Sequence, residues 1–143
     1  MTLREEILKQ AGILSEARNR ITPEFKNRVN LFSKELSDIC RKYNVKLEFG
    51  YIDSGDDDQI IIQDNHNEKF ATYLETEPTV LPKMSYKEKL EYKQFLKRAY
   101  AFIVELHTIE DKHNVEYGVG WVDAGDDDDF IVFDKNSNMK MYI

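Results

Sequence analysis

The chain has a single cysteine, Cys40, among its 143 residues, so it can form neither an internal disulfide nor a cysteine-based zinc site. No apolar run approaches the roughly 20 residues that span a bilayer. The three histidines show no Ser-His-Asp, Cys-His or zinc-type spacing. We therefore expect a soluble protein in a reducing, cytoplasmic setting that is not an enzyme of these kinds.

Basic residues are outnumbered by acidic ones. Lys and Arg number 20 against 27 Asp and Glu, which gives a net charge of −7 and a pI near 5.0. Direct binding to nucleic acid or to an anionic membrane needs clustered basic residues, so this balance argues against both. It suits a basic protein surface, a cation, or solubility alone. A hydrophobic content of 41% is sufficient for a folded core.

The most informative feature of the sequence is a stretch that occurs twice. Residues 43–65 read YNVKLEFGYIDSGDDDQIIIQDN, and residues 113–135 read HNVEYGVGWVDAGDDDDFIVFDK. A shift of 70 residues aligns the chain with itself without a gap from residue 22 to residue 64, with about 17 of 43 positions identical. This similarity indicates an internal duplication.

Each copy predicts one helix followed by a β-hairpin. Thr22-Pro23 favours a helix start, as does the Ser85/Glu88 capping box, and alternating apolar residues follow both helices. The prediction is an α+β fold with an antiparallel sheet of four to six strands, two helices on one face, and pseudo-two-fold symmetry. The expected organisation is an amphipathic N-terminal segment (1–21), repeat 1 (22–74), a linker (75–85) and repeat 2 (86–143), with both repeats in one domain.

The hairpin tips are the candidate functional residues, because three consecutive aspartates recur at both. The set comprises Asp53, Asp56, Asp57, Asp58, Asp123, Asp126, Asp127, Asp128 and Asp129. One interpretation is a solvated turn whose like charges deter edge pairing. A second is a recognition surface for a basic protein. A third is a calcium site, although the spacing is not that of an EF-hand, and a carboxylate- and magnesium-dependent hydrolase is a fourth.

Other repeated positions predict structural roles. Arg28 and Arg98, with Glu35 and Glu105, predict surface ion pairs along or between the helices. Tyr51 and Trp121 share one strand position, which predicts core packing, with an exposed aromatic platform as the alternative. For Cys40 the expectation is a partly buried, unreactive thiol.

The first 17 residues, MTLREEILKQAGILSEA, resemble the leader peptides of internal head proteins in T-even-type tailed phages. Leu14-Ser15-Glu16 followed by Ala17 matches the pattern after which a prohead protease cuts in that family. The resemblance implies a small protein that is carried in the virion, injected with the DNA and active against host defence in the host cytoplasm. It implies nothing about the two repeats.

The leading hypothesis is therefore a non-enzymatic, acidic interaction protein that binds or inhibits a basic, nucleic-acid-binding host protein through its paired acidic hairpins. A calcium-binding module and a carboxylate- and magnesium-dependent hydrolase are the alternatives. We expect no cofactor, apart from calcium if the tips bind it.

Overall fold

Two helices begin and end much as the sequence predicts. In the computed structural model, which describes residues 21–143, α1 spans Pro23–Tyr43 and α2 spans Tyr86–His113. The Thr22 hydroxyl accepts a hydrogen bond from the Phe25 amide at 3.1 Å, and so caps the start of α1.

The second helix starts with the reciprocal capping box that its sequence predicts. The Ser85 amide donates to Glu88 Oε1 at 3.1 Å, and the Glu88 amide donates to Ser85 Oγ at 3.2 Å. An asparagine follows the last residue of each helix, Asn44 after α1 and Asn114 after α2, and each has a φ of 54°. This left-handed conformation stops a helix and is tolerated by asparagine better than by most residues.

Six strands follow the helices, three in each repeat. They are β1 (Val45–Gly50), β2 (Gln59–Asp64), β3 (Ala71–Tyr73), β4 (Val115–Gly120), β5 (Asp129–Asp134) and β6 (Lys140–Tyr142). They form two antiparallel sheets, ordered β1-β2-β3 and β4-β5-β6. The α+β class and the duplicated helix-plus-hairpin pattern are thus confirmed.

The strands differ from our expectation in forming two three-stranded sheets and not one larger sheet. Each third strand follows a short turn and pairs with the strand just before it, as in the register Ile61↔Tyr73 and Ile131↔Tyr142. Each repeat therefore supplies every strand of its own sheet.

The chain divides into two compact units that cut across the repeats. We call the described residues up to Ser33, together with Glu110–Ile143, the terminal unit, and Lys34–Ile109 the central unit. The terminal unit combines the first part of α1 with β4–β6, and the central unit combines β1–β3 with most of α2. Each sheet is thus grouped with the start of the helix from the other repeat. The predicted pseudo-two-fold symmetry stays a prediction.

Each unit has its own aromatic core. In the terminal unit, Phe32 of α1 lies against Tyr117 of β4, with ring centroids 6.2 Å apart. In the central unit, Phe70 packs against Tyr92 and Phe95 of α2, with centroids 5.7 and 6.4 Å apart. Phe32 and Phe95 come from the buried faces of the two helices, and rings of this size bury large areas and dominate the packing.

Candidate functional site: the acidic hairpin tips

The two acidic tips connect β1 to β2 and β4 to β5, and they close in the same way. The Asp56 amide donates to the Asp53 carbonyl at 2.9 Å, and the Asp126 amide donates to the Asp123 carbonyl at 3.2 Å. Gly125, with a φ of 97°, supplies a backbone conformation that side chains disfavour. The first aspartate of each tip therefore sets the turn through its backbone.

A buried or half-buried tyrosine ties each tip to the third strand of its sheet. Tyr73 Oη donates to Asp56 Oδ2 at 2.6 Å and accepts a hydrogen bond from the Ile52 amide at 2.6 Å. In the other repeat, Tyr142 Oη donates to Asp126 Oδ2 at 2.6 Å and accepts from the Val122 amide at 2.9 Å. A hydrogen-bonded tyrosine–aspartate pair thus holds each of the two tips.

The gapless alignment of the two repeats does not match Tyr73 with Tyr142, because the turns that precede them differ in length. The Asp64 amide donates a hydrogen bond to the carbonyl of Phe70, which lies six residues later in the chain. The Asp134 amide donates to the carbonyl of Met139, which lies only five residues later. A gapless shift of 70 therefore pairs Tyr73 with Ile143. A one-residue gap after Asp134 would have aligned the two tyrosines.

In the central unit, Asp56 has a further partner. The Thr79 hydroxyl donates to Asp56 Oδ1, and the Thr79 amide lies 3.5 Å from Asp56 Oδ2. Hydrogen bonds from Thr79 and then from Tyr73 hold the pKa of the Asp56 carboxyl below its usual value. Asp56 is therefore a structural carboxylate that stays ionised at neutral pH.

The next two aspartates of each tip lie differently. Asp57, Asp58, Asp127 and Asp128 are exposed, and their carboxylates make no hydrogen bond or ion pair with any residue from 21 to 143. We call these four residues the free tip aspartates. Two neighbours are used locally, since Asp53 Oδ2 accepts from the Gly55 amide at 3.3 Å and Asp129 Oδ1 accepts from the Phe130 amide at 2.7 Å. The predicted site thus divides into residues that build the turn and residues that only project charge.

The aromatic residues beside the tips are exposed, so the core-packing prediction for them was wrong. Tyr51 is 59% exposed and Trp121 is 51% exposed. The strands end one residue earlier, at Gly50 and Gly120, so the alternation that predicted a core position does not extend to either ring. Each tip therefore has an accessible aromatic ring next to its charges.

Arg28 forms a surface ion pair along α1, as we expected, with its Nε 2.6 Å from Oε1 of the exposed Glu24. Each of the two repeated arginines also pairs with a buried carboxylate of the other repeat, which we did not expect. Arg28 Nη1 donates to the His113 and Asn114 carbonyls at 3.0 and 3.1 Å and lies 3.2 Å from Asp134 Oδ1. The Asp134 side chain is only 6% exposed. The arginine thus stabilises the carbonyls at the end of α2 and neutralises a buried carboxylate.

Arg98 repeats this arrangement in the central unit. Its Nη1 donates to the Tyr43 carbonyl at 2.7 Å, and its Nη2 lies 3.0 Å from Asp64 Oδ1. The spacing in the sequence could not reveal either partner, because the arginine and the aspartate lie on different elements far apart in the chain. Glu105 does form an exposed pair, accepting hydrogen bonds from Lys42 and from Tyr43, the latter at 2.8 Å.

Neither a metal cluster nor a membrane-spanning helix is found in the part of the chain that the structure describes. Within residues 21–143, no three His, Cys, Asp or Glu side chains come together in a way that could hold a metal ion. Over the same residues, neither helix is both long and apolar enough to cross a bilayer. The calcium and magnesium hypotheses stay predictions.

Comparisons with protein-family models, with curated proteins and with solved structures gave no match.

Proposed function

We propose that this protein binds a basic surface on a protein partner through the free tip aspartates. The proposal is based on a difference between the aspartates within each tip. Asp56 and Asp126 hold the turn, whereas the free tip aspartates are exposed and their carboxylates make no hydrogen bond or ion pair with a described residue. Adjacent like charges repel each other, by a few tenths of a kcal/mol for an exposed pair, so the fold gains nothing from keeping them in both copies.

Electrostatics favours a basic partner of this kind. The chain carries a net charge of −7, and the tips concentrate part of it on exposed turns held in place by a tyrosine. Such a field raises the association rate with a basic surface and falls with ionic strength, because the Debye length is about 8 Å at physiological salt. Binding by this mechanism should therefore weaken as salt rises.

The experiment changes only the free tip aspartates and leaves the turns intact. Asp57, Asp58, Asp127 and Asp128 are replaced together by asparagine, which preserves size and keeps the Tyr73–Asp56 and Tyr142–Asp126 hydrogen bonds. A matched control removes four charges from exposed positions outside the tips. These positions are Asp38, Glu75, Glu91 and Glu116, replaced by asparagine or glutamine.

The immobilised wild-type protein is used to capture partners from a bacterial lysate at low and at high salt, and the affinity for each captured protein is then measured by calorimetry. We expect the tip variant to lose binding and the control variant to retain most of it. Unchanged binding by the tip variant would refute the proposal. A melting temperature that rises with millimolar calcium in the wild type, but not in the tip variant, would favour the calcium alternative instead.

The leader-like residues suggest the setting in which this binding would operate. Residues 1–17 lie outside the described residues, so this part of the proposal is supported by the sequence resemblance alone. It implies only that the partner is a host protein. The negative charge of the tips favours a nucleic-acid-binding protein, whose basic surface would accept carboxylates in place of phosphate groups. DNA should then compete with the acidic protein for the partner, and a prohead protease should release a chain that begins at Ala17.

A further inference from the structure

The central unit has a groove beside its acidic tip. Its volume is about 510 Å³, and it lies between the face of the sheet that carries Glu48 and Ala71 and the segment formed by residues 80–82. Tyr51 borders it next to the tip. The groove is thus continuous with the surface proposed above for the partner.

The lining of the groove combines exposed apolar groups with carboxylates. Tyr51, Val80 and Leu81 are 59%, 58% and 44% exposed. Three of the lining residues are acidic, namely Glu48, Asp53 and Glu68.

The basic residues near the groove already have partners. Lys69 Nζ lies 2.8 Å from Glu88 Oε2, and Lys46 Nζ lies 3.3 Å from Glu68 Oε1. Glu48 and Asp53 make no ion pair with any residue that the structure describes. The groove thus offers an apolar wall with uncompensated negative charge, which complements a long cationic side chain.

The other repeat shows such a cation in the equivalent place. The strand registers pair Gln63 with Ala71 and Phe133 with Lys140, so Lys140 occupies the position of Ala71. Lys140 Nζ lies 5.9 Å from the centroid of the Trp121 ring, within the range of a cation–π contact. Trp121 is the counterpart of Tyr51, and over residues 21–143 no cation lies against the Tyr51 ring.

The two repeats differ elsewhere on this face. The counterpart of Glu48 is Gly118, and a Cβ at that glycine would lie 3.2 Å from Cε2 of Phe133. The Phe133 ring therefore packs directly on the β4 backbone, where repeat 1 has a glutamate and Gln63. Repeat 2 thus fills this face with its own phenylalanine and lysine, whereas repeat 1 leaves it open and acidic.

We propose that the groove beside Tyr51 binds a lysine or arginine side chain from a basic segment of the protein partner. The aliphatic stem lies along Tyr51 and Leu81, and the cationic head lies near Glu48 and Asp53. The partner cation then takes the place that Lys140 takes in the other repeat. The identity of the occupant as a protein segment rests on the proposed function.

The test uses a defined probe, a fluorescein-labelled peptide of alternating arginine and leucine, and a matched peptide of alternating glutamine and leucine. Binding is followed by fluorescence anisotropy and by amide chemical shifts in ¹H–¹⁵N spectra of the full chain. We expect the arginine peptide, and not the glutamine peptide, to shift the amides of Tyr51, Ala71 and Leu81.

The decisive variant is Ala71→Lys, which gives repeat 1 the lysine of repeat 2. This variant should weaken the binding of the arginine peptide to the Tyr51 groove by about five-fold or more. The new lysine would compete with the peptide for the Tyr51 ring and for the carboxylates of Glu48 and Asp53. Lys140→Ala is the matched control, because it should leave the shifts at Tyr51 unchanged and add new shifts at Trp121. Both variants should melt within a few degrees of the wild type, since each residue already occupies the position in the other repeat.

The outcomes separate this inference from the proposed function. If Ala71→Lys binds the peptide as the wild type does, or if spermidine shifts the same amides equally, the inference is wrong. If the four-asparagine tip variant loses the captured partner while Ala71→Lys keeps it, the tips function without the groove. If Ala71→Lys loses the partner while the tip variant keeps it, the groove is the binding site and the tips are not.

Discussion

The buried carboxylate of Asp134 should contribute to stability in a way that depends on pH, and Asp134→Asn tests this. Its side chain is 6% exposed and accepts hydrogen bonds from Arg28 at 3.2 Å and from Ser137 Oγ at 2.7 Å. Burial raises the pKa of this carboxyl, but the hydrogen bonds from Ser137 and Arg28 outweigh burial and hold the pKa below its usual value.

The loss of stability in Asp134→Asn depends on which of the interactions of Asp134 the asparagine side chain keeps. Removing one partner of a fully buried ion pair costs about 3–5 kcal/mol. Arg28 is 19% exposed and retains Glu24 and two backbone carbonyls, so it is not left without partners. Asparagine also keeps one acceptor oxygen. We therefore expect a loss of about 1–2 kcal/mol in the free energy of unfolding at pH 7, which is about one hydrogen bond to a charged group.

The direction of the pH dependence follows from the lowered pKa. A carboxyl whose pKa is lower in the folded state stabilises the fold at pH values above its unfolded pKa, about 3.9, and loses this contribution as the pH falls through the folded value. The difference between wild type and Asp134→Asn should therefore be complete at pH 6–7. It should shrink as the pH falls below about 4, because the wild-type carboxyl becomes protonated and neutral like the amide.

Urea unfolding at pH 7 and at pH 2.5–3 measures this difference, and a melting temperature lowered by roughly 3–8 °C at pH 7 is the corresponding thermal result. Glu116→Gln, at an exposed site, is the control and should change stability by less than about 0.5 kcal/mol. Asp64→Asn should lower the free energy of unfolding at pH 7 by less than Asp134→Asn does, because the arginine that pairs with Asp64, Arg98, is 33% exposed. A wild-type stability for Asp134→Asn at pH 7, or a difference that does not change with pH, would refute the reasoning.

Two further predictions concern the buried Tyr73 and the half-buried Cys40. Tyr73→Phe removes the hydroxyl that accepts a hydrogen bond from the Ile52 amide and donates one to Asp56. Exchange of the Ile52 amide hydrogen should therefore accelerate by about ten-fold, while the exchange of distant core amides stays unchanged. Unaltered exchange at Ile52 would mean that the Tyr73–Asp56 pair does not hold the tip. Burial raises the pKa of the Cys40 thiol to about 11, so alkylation by iodoacetamide at pH 8 should be about 100-fold slower in the native protein than in urea. Equal rates in both conditions would show that the thiol is not buried in this way.

The elements of this fold could be predicted from local patterns because their causes are local. Thr22-Pro23 and Ser85 with Glu88 start the helices through bonds within four residues, and the apolar alternation around Val45 and Val115 follows from the two-residue period of a strand. The duplication strengthened both predictions, since two copies of one pattern agreed.

The tertiary roles could not be predicted in the same way. Nothing in the spacing of Arg28 indicates a partner 106 positions away, at Asp134. The tyrosines that hold the tips were hidden by a turn that is one residue shorter in repeat 2. Tyr51 and Trp121 were misassigned because the strand ends at the preceding glycine, and element boundaries are the least certain part of a pattern-based prediction.

The residues shared by the two repeats sort into two kinds, and this difference bears on function. Arg28/Arg98, Asp64/Asp134 and Asp56/Asp126 each make the same contact in both units, so the shared fold is sufficient reason for their recurrence. The carboxylates of the free tip aspartates make no hydrogen bond or ion pair with a described residue in either repeat, so such bonds give no reason for their recurrence. The repeats diverge beside the tips, at Ala71/Lys140 and Glu48/Gly118. If the shared aspartates attract a basic partner, these differences should give each repeat its own specificity, so the two tips should not be interchangeable.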